Sequence, residues 1–134
     1  MGTKAPFIAV PTAVALLVLL AGCSTTPEAL EAKSDAIVEN YANNYEEIYQ
    51  RIADTARRCF AGPGTPALTM AVEADLRKEL GFGEVRFVAI GVVYSNYYVS
   101  VKIERVASGS RVSLRTLYPG YKRIFRWAGG DRQC

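Results

Sequence analysis

The sequence predicts an α+β domain in which two helices pack on one face of a four-stranded antiparallel meander. Three observations carry that expectation. Apolar residues between Asp35 and Phe60 recur at helical spacing, from Glu84 onward the period falls to two, and short turn-forming stretches separate the alternating segments. Ahead of this domain lies a stretch of different composition, expected to stand outside the fold as a signal helix over residues 1–22.

That leading stretch carries one charge, Lys4, before the uncharged Ala5–Gly22, and Ala13–Ala21 is unbroken apolar. A basic start, an apolar centre and a small-residue end describe a secretory signal peptide. A retained membrane span fits less well, because Ala5–Gly22 sits at the lower limit of about 17–25 residues and contains Pro6 and Pro11. Leu20-Ala21-Gly22-Cys23 resembles the lipobox of bacterial lipoproteins. The resemblance implies transfer of diacylglycerol to the Cys23 sulfur, cleavage before Cys23, and acylation of the new amino group. Several acyl chains hold a protein on a bilayer where one chain gives only reversible binding. Ser24 follows the cysteine; among Gram-negative lipoproteins an Asp there commonly directs inner-membrane retention, so the resemblance implies a periplasm-facing outer-membrane anchor.

Residues 23–34 are expected as a tether, since Ser24–Ser34 is small, polar and carries Pro27. The domain then runs over 35–134. In its first helix Tyr41, Tyr45, Ile48, Ile52, Thr55 and Cys59 fall on one stripe, with Ser34 as N-cap and Gly62-Pro63-Gly64 as the stop. Thr65-Pro66 reads as the cap and first residue of a second helix reaching about Leu80, with Leu68, Val72, Leu76 and Leu80 four apart. The strands expected next are Glu84–Tyr94, Tyr97–Val106, Arg111–Tyr118 and Tyr121–Trp127. They are joined at Ser95-Asn96, Ala107–Ser110 and Pro119-Gly120, and a tail over Ala128–Cys134 follows. One sheet face should take the helices, the other should turn Ser100, Lys102, Ser113 and Arg115 to water.

Cysteine usage fits export. With Cys23 assigned to lipid, Cys59 and Cys134 remain as an even pair, and in an oxidising compartment they are expected to form a disulfide. The long loop it closes would stabilise the domain by about 2–4 kcal/mol.

The chain contains no histidine, which removes the commonest general base and metal ligand, and no nucleophile elbow or phosphate loop appears. No enzyme activity, cofactor or metal is therefore expected. Without Lys4 the chain holds 15 basic and 13 acidic groups, too even for a nucleic-acid partner. The charge is polarised, however: residues 24–60 hold 7 acidic and 4 basic groups, residues 84–134 hold 3 and 9. Lys102, Arg111 and Arg115, with Tyr98 beside them, form a candidate basic sheet face for an anionic partner, either another envelope protein or an anionic glycolipid. On that reading, charge reversal at Arg111 and Arg115 should abolish capture of the partner without moving the melting temperature. The domain is thus expected to be a non-catalytic binding or scaffolding module held on membrane lipid through Cys23. The alternative class is a periplasmic hydrolase inhibitor or a cell-wall glycan hydrolase. Lipobox, length and cysteine pair together resemble the small proteobacterial envelope lipoproteins, a resemblance that implies location more than activity.

Overall fold

Thr26-Pro27 opens the first element of the fold. The Thr26 hydroxyl accepts a hydrogen bond from the Ala29 amide (3.1 Å), and Pro27 takes a first-turn position, where its missing N–H loses no helical bond. The product is α1, Pro27–Lys33, and the Ser34 hydroxyl closes it by donating to the Leu30 carbonyl (2.6 Å). The computed structural model describes Gly2, residues 25–65 and residues 68–134. The lipobox and Cys23 lie outside the described residues. Most of the expected tether is thus a helix, and Ser34 ends that helix rather than starting the next.

The long helix expected from Asp35 divides in two. Ile37–Tyr41 is a strand, β1, and α2 begins only at Tyr45 and runs to Phe60. Asn44 sets the boundary: its side chain accepts from the Glu46 amide (2.8 Å), and Glu46 and Glu47 complement the helix dipole in the first turn. Tyr41 therefore belongs to a strand. Tyr45, Ile48, Ile52 and Thr55 do share a buried face, widened by Tyr49, Ala53 and Ala56.

The second expected helix is a strand. Gly62–Thr65 (β2) pairs with Leu68–Arg77 (β3), which pairs along its whole length with Phe82–Gly91 (β4). A spacing of four keeps Leu68, Val72 and Leu76 on one side of a strand as well as of a helix. The intervening Met70 and Ala74 complete a period of two. After Arg77 a short 3₁₀ turn, Lys78–Leu80, leads into β4. Ser95–Val106 (β5) and Gly109–Thr116 (β6) follow as the expected antiparallel meander. The β4–β5 turn is Val92-Val93-Tyr94, closed by the Gly91 amide on the Tyr94 carbonyl (2.8 Å), not Ser95-Asn96. The fourth expected strand is absent among the described residues. Pro119–Arg123 is a 3₁₀ segment and Ile124–Ala128 is helix α3, whose Ile124, Phe125, Trp127 and Ala128 are buried at helical spacing.

The six strands form one antiparallel sheet in the order β1-β6-β5-β4-β3-β2. The fold is α+β, with a wider sheet than expected. On one face α2 and α3 pack over Val85, Phe87, Val99, Val101, Ile103, Val112 and Leu114, all buried. The approach is close at Gly83, where a Cβ would sit 2.5 Å from the Tyr49 ring. α1 packs on β5 and β6 from the opposite face, where its buried Leu30 lies apart from the main core. Cys134 is bonded to Cys59 in the last turn of α2 (S–S 2.12 Å). The tail is further held by the Trp127 indole on the Gln133 carbonyl (2.8 Å) and by Arg123 on the Cys134 carbonyl (2.7 Å).

Candidate binding groove

The groove arises from the register of β5 and β6. Val101 pairs with Leu114 and Ile103 with Val112, and all four face the helix-side core. Strand alternation then turns the pairs Ser100–Arg115, Lys102–Ser113 and Glu104–Arg111 to the other face. Directly paired residues have Cβ atoms about 4.5–5.5 Å apart, so these side chains make rungs across the two strands. α1 supplies a wall. Arg115 Nη1 donates to the carbonyl oxygen of Glu31 (3.1 Å) and to that of Ser34, which ties the C-terminal end of α1 to β6. Between wall and strands lies a groove of about 250 Å³, with Glu31 and Ala36 on one side, Ser100, Lys102, Ser113 and Arg115 as floor, and Glu84 opposite.

The electrostatics differ from the expected basic face. Lys102 Nζ lies 2.9 Å from the Glu104 carboxylate and 4.9 Å above the Phe82 ring. Glu84 is paired with Arg86 (2.6 Å), and on β3 Asp75 with Arg77 (2.8 Å). Cations and carboxylates alternate across the strands, so the face is a mixed lattice and not a continuous positive patch. Lys102 and Arg115 meet in the groove. Arg111 shares their face but lies outside the groove, exposed, in register with Glu104.

Tyr98 is on the wrong side for the expected patch, and a β-bulge is the reason. Phe87 pairs with Val99 but Val88 pairs with Tyr97, leaving Tyr98 as the extra residue. The bulge turns Tyr98 toward the helix-side core, where its ring packs at a tilt of 58° against Tyr118 (5.8 Å between centroids). Tyr97 takes the open face and donates to the Glu73 carboxylate (3.1 Å). Burial, then that hydrogen bond, raises the Tyr97 phenol above its ordinary pKa. Glu31 was not reachable from the sequence as a groove residue, because only the cap at Thr26-Pro27 distinguishes its helix from a tether.

A wider concavity of about 480 Å³ lies at the β1 edge beside α3, lined in part by Glu39, Tyr41 and Lys122. The Tyr41 hydroxyl sits 2.8 Å from the Glu39 carboxylate and 2.9 Å from the Phe125 carbonyl. Burial first, then the neighbouring Glu39, pushes this phenol well above its ordinary range. Among the described residues no three His, Cys, Asp or Glu side chains gather to hold a metal ion. No helix among them is long and apolar enough to cross a membrane. No protein-family model matches the chain, and neither the curated proteins nor the solved structures contain a significant match.

Proposed function

We propose that this chain is an envelope lipoprotein, anchored to membrane lipid through acylated Cys23 and facing the periplasm from the outer membrane. Its folded part works as a non-catalytic binding module. The observation that carries the binding role is the groove floor. Ser100, Lys102, Ser113 and Arg115 occupy two adjacent rungs, and each of the four side chains can donate hydrogen bonds. Donors gathered on a rigid sheet suit an acceptor-rich, anionic group, whether on a glycolipid or on another envelope protein. Of the carboxylates at the groove, Glu84 is engaged with Arg86, and Glu104 beside it with Lys102; Glu31 stands on the α1 wall.

The test is photo-crosslinking in intact cells from a probe replacing Ser113, with and without Lys102→Glu. Capture of one anionic partner that Lys102→Glu abolishes supports the reading. Identical products from both proteins would remove the groove from it.

A further inference from the structure

We propose that the tip of the β4–β5 hairpin, Val92-Val93-Tyr94, is a second membrane contact that seats the domain on the lipid surface in one fixed orientation. The inference rests on the lipid-anchor reading of Cys23 and adds a site to it.

The tip is apolar and bare. Val92 is 86% exposed, Val93 89% and Tyr94 52%. From Phe87 to Val101 no side chain is charged, so immersing the hairpin end desolvates no ion. The same end of the sheet also exposes Ile90, Leu117 and Tyr118, whereas among the described residues the opposite end exposes Leu80 alone of the large apolar side chains near its turn. An apolar patch with tyrosines at its rim has the composition of a membrane-interface contact.

The occupant is set by where the chain leads. The Thr25 amide donates to Asn96 Oδ1 (2.8 Å), and the Tyr97 amide donates to the Thr25 carbonyl (2.9 Å). Thr25 is therefore fixed at the start of β5, on the strand that leaves the exposed tip. Cys23 precedes Thr25 by two residues, and two residues of chain reach at most about 7 Å. An acylated Cys23 thus places lipid beside this end of the sheet and leaves no tether long enough for the domain to turn over. The membrane is the apolar phase delivered to the tip by covalent geometry.

The full lipidated protein is purified, its acyl mass is verified by mass spectrometry, and it is reconstituted in phosphatidylethanolamine–phosphatidylglycerol vesicles with brominated acyl chains. Val93→Trp is the probe, Val92→Trp the second probe should the first alter the fold, and Leu80→Trp the control at the far end. Trp127, fully buried, is the common background. The expected result is loss of indole emission for the tip variants and none for Leu80→Trp. An acylated protein with unquenched tip probes overturns the seating while leaving the anchor intact. Equal quenching at Leu80→Trp overturns the fixed orientation. Unquenched tip probes in a dimeric protein assign the tip to a second copy and overturn the proposal as well. Absence of acyl mass overturns the anchor reading itself.

Discussion

Arg115 on β6 reaches the backbone carbonyl of Glu31 across 3.1 Å, joining the C-terminal end of α1 to a strand 84 residues away in sequence. The bond is charge-assisted and partly screened by solvent. Removing it leaves two helix-end carbonyls without that donor and costs about 1–2 kcal/mol. Arg115→Ala is therefore expected to lower the melting temperature and to speed amide exchange across α1. Arg111→Gln, at an exposed position that makes no such bond among the described residues, should leave both unchanged. Equal melting temperatures for the two variants would show that Arg115 does not hold α1. Because Arg115 holds the Glu31 and Ser34 carbonyls, charge reversal there is expected to carry a structural cost as well.

What the sequence concealed follows from coincidences of period. The meander from β4 to β6 was legible because alternation over eight or more residues has no helical equivalent. β3 was not, because Leu68, Val72 and Leu76 satisfy both periods, and only Met70 and Ala74 separate them. β1 hid inside a helical stripe because Tyr41 lies four residues before Tyr45, although the Asn44 cap intervenes. Thr-Pro marks a helix start at Thr26-Pro27, and the same dipeptide at 65–66 precedes a strand. In the groove, Lys102 and Arg115 were reachable by counting along a strand. The exclusion of Tyr98 was not, since a bulge depends on the pairing partner.

Gly109 closes the β5–β6 turn at φ +137°, and a Cβ there would stand 2.2 Å from the Tyr41 carbonyl oxygen. Backbone strain and a clash with main chain act together, so Gly109→Ala should destabilise by about 2–4 kcal/mol. At Gly120 a Cβ would meet no atom within 4 Å, and Gly120→Ala serves as the neutral control. Denaturant unfolding of both variants gives the comparison, and similar midpoints would sink the account of the turn.

Burial is the leading cause that raises the phenol pKa of Tyr41, Tyr49, Tyr97 and Tyr121 in the folded chain. In the unfolded chain these groups ionise near the ordinary value of about 10. Below that pH both states carry neutral phenols and the stability is intact. As pH rises past it, the unfolded chain loses protons first, and stability falls. The melting temperature should thus decline on the alkaline side, less steeply in Tyr41→Phe. Absorbance of tyrosinate should appear at higher pH in native than in denatured protein, and coincident titrations would refute the linkage.

The bridge from Cys59 to Cys134 spans 75 residues and fixes a tail that otherwise rests on a few hydrogen bonds to carbonyl oxygens. Closing a loop of that length restricts the unfolded chain, which stabilises the fold by about 2–4 kcal/mol. Cys59→Ser with Cys134→Ser should lower stability by that amount. The tail also accepts the Trp127 indole proton at Gln133 (2.8 Å), so its release exposes one edge of the only tryptophan. A red shift in emission should accompany the loss of stability while far-ultraviolet dichroism stays native, because the sheet and α2 keep their own core. Lost stability with unchanged emission would mean that the tail stays docked without the bridge, and that its hydrogen bonds alone suffice to hold it.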